Sequence, residues 1–148
     1  KARSMAGMRI GYAMASPELI KYLNDVKYSF NSYTMDQTAL DLGVASIEDQ
    51  AYFEETLHKI IQTRERVKLR LTELGFTFRD SRSNFIFASH KSCPAEELFE
   101  KLKEKDIYVR YFNKPRIHNY LRITIGTDAE MDEFLSEVEN YLKESGRL

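Results

Sequence analysis

DQAYFEETLHKIIQTRERVKLRLTELGFTF, residues 49–78, changes its periodicity at Gly75. Before the glycine, Phe53, Leu57, Ile60, Arg64, Val67, Leu71 and Leu74 recur at alternating steps of four and three. That spacing lays side chains along one face of a helix. Only Arg64 breaks the apolar stripe. The pattern predicts one helix over 49–74, nearly 40 Å long at about 1.5 Å per residue. Gly75 stands where a left-handed residue closes a helix. Phe76-Thr77-Phe78 then alternates with the period of a strand. A helix long enough to join two parts of a chain runs directly into sheet.

The following residues repeat the change of period. Phe85-Ile86-Phe87 reads as a second strand, and 94–105 as a helix carrying Leu98, Phe99 and Leu102. Residues 107–112 and 121–125 read as two more strands. Thr127-Asp128-Ala129-Glu130 is a capping box. It opens a last helix with Met131, Phe134, Leu135, Val138, Tyr141 and Leu142 inward. The order strand, strand, helix, strand, strand, helix implies an α+β unit, with helices on one face of a mainly antiparallel sheet.

Upstream the reading is more helical. Residues 8–15 are expected to form a short buried strand, in which Ile10, Tyr12 and Met14 alternate with Gly11 and Ala13. Ser16-Pro17 starts a helix, with serine as cap and proline at the first helical position. Its face carries Leu19, Ile20, Leu23 and Val26, and 28–33 reads as an aromatic loop. A second helix is expected over 34–47, with Met35, Ala39, Leu42 and Ile47 inward. The chain therefore divides into 1–33, the helices of 34–74, and a small domain over 75–148.

The 148 residues are 43% hydrophobic and 30% charged with a net charge of −1, a globular composition without the basic footprint of a nucleic-acid binder. Cys93 is the single cysteine, so no internal disulfide forms. No apolar run approaches the roughly 18 residues of a membrane span. The N-terminal residues lack the apolar core of a signal peptide, and the chain reads as beginning inside a longer protein. No histidines have metal-ligand spacing.

Two arginines stand within predicted strands. Arg110 faces opposite to Val109 and Tyr111, and Arg122 opposite to Leu121, Ile123 and Ile125. If the strands are antiparallel neighbours, some registers put both on one face. Like charges directly opposite are destabilising. A carboxylate or phosphate between them would offset that through paired hydrogen bonds. The alternative is two solvated arginines whose stems cover apolar surface. Arg9 opens the 8–15 segment, and Asn84 precedes Phe85.

Four segments carry a family resemblance. Lys1-Ala2-Arg3-Ser4-Met5-Ala6-Gly7-Met8-Arg9-Ile10-Gly11-Tyr12 resembles the cofactor-lysine signature of fold-type I pyridoxal-phosphate-dependent aminotransferases. Ser83-Asn84-Phe85, Val109-Arg110-Tyr111-Phe112 and 120–127 resemble the histidinol-phosphate aminotransferase branch. The resemblance implies the C-terminal part of such an enzyme: a remnant of the large domain with one of its strands, linking helices and the small domain. It implies that Lys1 bonds the cofactor and moves protons at the substrate's α-carbon. Arg9 would bind the cofactor phosphate, Arg122 the substrate carboxylate and Arg110 the substrate's phosphate end, with Asn84 near the site. It further implies a cytoplasmic homodimer acting in histidine biosynthesis. Bonding an aldehyde needs a neutral amine, and only roughly one free lysine in 2,500 is neutral at pH 7. A cation such as Arg9 nearby would raise that fraction. The family's other cofactor-holding residues precede the lysine, so these 148 residues alone are expected to be inactive. The alternatives are a threonine-phosphate decarboxylase-like or other class I/II enzyme, a non-catalytic anion-binding module built on Arg110 and Arg122, and a structural dimerisation piece.

Overall fold

The computed structural model describes residues 3–148. The elements are a 3-10 turn at Ala6–Met8, then α1 (Pro17–Phe30), α2 (Gln37–Glu48), α3 (Gln50–Glu73), β1 (Phe76–Phe78) and β2 (Phe85–His90). They continue with α4 (Ala95–Lys103), β3 (Arg110–Tyr111), β4 (Leu121–Thr124) and α5 (Asp128–Glu144). Two compact units divide the chain, one running through Thr56 and the other from Leu57 to Leu148. α3 contributes to both.

In the second unit the four strands form one antiparallel sheet in the order β1-β2-β4-β3. β4 lies between β2 and β3, so α4 crosses over it. Alternation along the strands decides the faces. Ile86, Ala88, Leu121 and Ile123 point to one side and are buried. They meet Val67 and Leu71 of α3, Leu98 and Leu102 of α4, and Met131, Phe134, Leu135, Val138 and Leu142 of α5 in one core. Apart from Ala88, each such side chain contributes roughly 1.5–3 kcal/mol by leaving water. The expected order and the one-sided helical layer are both present.

Local signals set the helix ends. Thr127 Oγ1 accepts the Glu130 N–H while Glu130 Oε2 accepts the Thr127 N–H at 2.7 Å, completing the capping box. A Cβ on Gly126 would lie 2.5 Å from that carboxylate oxygen, so any larger residue there would make the Glu130 side chain shift. α4 and α5 both end in Schellman turns. The Ile107 N–H reaches the Leu102 carbonyl and the Arg147 N–H reaches that of Leu142. Gly146 takes the left-handed position in the second turn, whereas Asp106 takes it in the first. Gly75 closes α3 at φ +85°. The strand expected over 107–112 is shorter: only Arg110 and Tyr111 pair with β4. β3 is an edge strand, and the α4 turn already uses the Ile107 N–H.

In the first unit α1 begins as expected, with Ser16 Oγ accepting the Leu19 N–H. It runs to Phe30, into the segment read as a loop. α2 starts at Asp36, whose carboxylate accepts the Ala39 N–H at 2.8 Å. Ala39 is buried, but Leu42 and Ile47, expected inward, are exposed. Leu19, Leu23 and Val26 form the helical face foreseen for α1, and that face is exposed too. The buried strand over 8–15 is not formed: residues 10–16 have no regular structure, and Tyr12 and Met14 are 87% and 86% exposed. A strand needs neighbouring strands to take its N–H and C=O groups. Among the described residues, every strand lies between Phe76 and Thr124.

Candidate active site

The face of the sheet opposite the core carries the two strand arginines. Arg110 and Arg122 are direct partners in the β3–β4 register. With side chains alternating between faces, direct partners share a face. Both are exposed, as the burial pattern of each strand requires. Their guanidinium groups converge on one ring: the Cζ atoms lie 5.4 Å and 6.0 Å from the centroid of Phe112. Arg122 also lies 5.7 Å from the Phe85 ring. Cation–π contacts of this kind contribute about 0.5–1 kcal/mol at exposed sites. They hold two like charges side by side without neutralising either.

The electrostatic surroundings distinguish this pair. Arg64, Arg66, Arg70 and Arg147 each pair with a carboxylate. Among the described residues, no carboxylate pairs with Arg110 or Arg122. The unit thus keeps two adjacent, exposed cations set against aromatic rings. That arrangement suits an anion taken from solution. Phe87 pairs with Arg122 in the β2–β4 register and stacks on Tyr120 with centroids 4.7 Å apart. Next to this stack an open groove of about 910 Å³ is lined by Phe85, Phe87, Tyr120, Arg79, Arg82 and Arg116.

Asn84 stands at the start of β2, one residue from the ring beneath Arg122. Its carbonyl accepts the Ile125 N–H at 2.9 Å, extending the β2–β4 ladder by one bond. Arg9 belongs to the first unit. It closes the 3-10 turn at φ 57°, with Nη1 donating to the Ala6 carbonyl at 3.2 Å. It is exposed, and among the described residues no carboxylate pairs with it. Lys1 lies outside the described residues. Of the five sequence-predicted site residues, the structure therefore sets Arg110 and Arg122 together on one face of the sheet, with Asn84 immediately before β2.

Sequence reasoning missed the aromatic platform. Phe85 and Phe112 read only as strand residues, although both fall on the arginine face by alternation. It also left Arg64 without a role, noting it only as the break in a stripe. Arg64 is 7% exposed. Its Nε and Nη2 meet Glu65 Oε1 at 2.9 and 2.8 Å, and its Nη1 donates to the Ser83 carbonyl at 3.1 Å. Among the described residues no group of acids, histidines and cysteines is suited to a metal. Nor, among the described residues, is any helix long and apolar enough to cross a membrane.

These features define a class: an antiparallel α+β unit whose open face presents paired arginines suited to a carboxylate or phosphate. Residues 1–138 match the family profile "Aminotransferase class I and II", and the chain belongs to that family, one of pyridoxal-phosphate-dependent enzymes. Its relatives include histidinol-phosphate aminotransferases. That of Brachyspira hyodysenteriae is 50% identical over 143 residues, 97% of this chain and 40% of its own length. That of Acinetobacter baumannii is 55% identical over 130 residues, 88% of this chain and 36% of its own length. The chain thus spans about two-fifths of the relatives it matches. Among solved structures, a putative histidinol-phosphate aminotransferase from Erwinia carotovora atroseptica superposes with a TM-score of 0.85 at 25% identity, over 98% of this chain and 40% of its own. The Sinorhizobium meliloti enzyme, in complex with pyridoxal-5'-phosphate, gives 0.81 at 24% identity, over 97% of this chain and 39% of its own, a likeness of fold.

Proposed function

We propose that these residues are the C-terminal part of a histidinol-phosphate:2-oxoglutarate aminotransferase of histidine biosynthesis, working as a cytoplasmic homodimer. The observation that carries this reading is the Arg110–Arg122 pair, in register on one face and without carboxylate partners among the described residues. Identities of 50–55% to proteins of that name support the choice of substrate.

In this reading Arg122 takes the donor's α-carboxylate in a forked pair of hydrogen bonds, and Arg110 holds the substrate's phosphate end. Each charged hydrogen bond of this kind contributes about 1.5–3 kcal/mol. Asn84 lines the same site. Arg9 fits the cofactor phosphate, because its guanidinium spends one contact on the Ala6 carbonyl and keeps its remaining donors. Bound pyridoxal phosphate supplies the electron sink for the carbanion at the substrate's α-carbon. Lys1 carries the cofactor and moves the proton at that carbon. The exposed Leu19, Leu23, Val26 and Phe30 support burial of this region in a larger assembly. The 148 residues alone do not transaminate.

The test is to reduce the full-length enzyme with borohydride in the presence of pyridoxal phosphate and map the modified peptide by mass. A phosphopyridoxyl group on Lys1 is the expected result. A folded protein with no label on Lys1 would overturn the assignment and leave the arginine pair as an anion site without this chemistry.

A further inference from the structure

We propose that Arg64 is a positioning residue for the arginine face: from the core side it fixes the turn at Ser83–Asn84, and so sets the Phe85 platform on which Arg122 rests. This deepens the proposed function and rests on it for the role of Arg122.

Arg64 occupies a helix position where every other member of the stripe is apolar, and at 7% exposed it is nearly as buried as Val67, Leu71 and Leu74 and more buried than Leu57. A charge out of water is unfavourable unless it is paired and hydrogen-bonded, and a well-packed apolar side chain in its place is often neutral or stabilising. Packing alone therefore gives no reason for arginine. Its contacts do. Glu65 balances the charge, while Nη1 reaches past it to the Ser83 carbonyl.

A second tether acts on the same loop. Lys68, one helical turn on, meets both Glu65 at 2.7 Å and the Asp80 carboxylate. Lys68 and Arg64 hold the Glu65 carboxyl below the usual range, and Lys68 does the same for Asp80. Two cations from successive turns of α3 thus grip residues 80 and 83. Inside the loop, Ser81 Oγ donates to the Phe85 carbonyl at 2.6 Å. Beyond it, Asn84 takes the Ile125 N–H, and Phe85 pairs with Thr124. The Phe85 ring lies 5.7 Å from Arg122 Cζ. Ser83 is two residues from that ring, so displacement of its carbonyl is transmitted through one short, hydrogen-bonded segment.

The experiment uses the full-length holoenzyme with Arg64→Met, Arg64→Lys and, as a site control, Arg122→Lys. Glutamate turnover is measured alongside amide exchange at residues 83–85 and 125. The expected result for Arg64→Met is at least a tenfold rise in KM for glutamate with kcat within threefold of the parent. Exchange at those amides should quicken by at least tenfold, while that at Val138 stays unchanged. Arg64→Lys, which keeps charge and reach but not the fork, should fall between, and it carries the test if Arg64→Met does not fold. Faster exchange with an unchanged KM would overturn the proposal and leave Arg64 a purely structural residue. Unchanged exchange would overturn it as well. If Arg122→Lys also leaves KM unchanged, the assignment of the site itself fails, which separates the two ideas.

Discussion

Replacing Gly75 with alanine should destabilise the 57–148 unit by about 2–5 kcal/mol, from two separable causes. The first is backbone strain. Gly75 sits at φ +85°, and left-handed backbone costs an L-residue about 1–2 kcal/mol. The second is a collision. A Cβ built there lies 2.9 Å from His90 Nε2, the nitrogen that donates to the Leu74 carbonyl at 3.1 Å. His90 is 6% exposed, and its Nδ1 accepts the Ser92 N–H at 3.2 Å, so the ring is held at both nitrogens. Moving the ring leaves a buried carbonyl without its donor, at about 1–3 kcal/mol. Domains of this size are stable by about 5–15 kcal/mol, so the loss is large but survivable. Urea unfolding of the chain, read at amides of the second unit, measures it as a lowered midpoint with an unchanged slope. The same substitution in a His90→Ala background isolates the collision, and there the cost should drop to the strain of about 1–2 kcal/mol. Equal costs in the two backgrounds would refute the collision argument. A cost below about 1 kcal/mol in the parent would refute the strain argument.

Burial lowers the His90 pKa from its ordinary 6.5, and Arg147 adds to this against the opposing effect of the Leu74 carbonyl. The folded state then binds fewer protons than the unfolded state. His90 therefore contributes stability above about pH 6.5 that is lost as the pH falls below it. Urea midpoints should fall between pH 7.5 and 5, a slope that His90→Gln should flatten. In the full-length enzyme, Arg122→Lys loses the fork and should lower kcat/KM for glutamate by about 1.5–3 kcal/mol, on the order of 10- to 100-fold. A change of less than threefold would remove Arg122 from carboxylate binding.

Much of this fold is legible from neighbours along the chain. The Ser16 cap, the Thr127–Glu130 box and the Gly75 stop each involve groups within a few residues, so their chemistry is written in short words. Alternation gave the buried face of β4, and the stripe of α3 gave Val67, Leu71 and Leu74. The same logic erred at 8–15, because period-two alternation says that a strand could be covered, not that strands stand beside it. The α1 face failed in a related way: the helix formed, but no described residue of its unit buries Leu19, Leu23 and Val26.

The sequence by itself determined the element order and one-sided layering of the second unit, the helix ends marked by Ser16, Gly75 and Thr127, and the family. Only the tertiary structure decided the register that sets Arg110 opposite Arg122, the two-residue length of β3, the ring shared beneath both guanidinium groups, and the partner of Arg64. The physical reason is range. Caps and stripes are fixed by bonds that span one or two turns, whereas register and buried charge depend on free energies between groups distant in sequence, such as Arg64 and Ser83, that exist only once the chain has closed on itself.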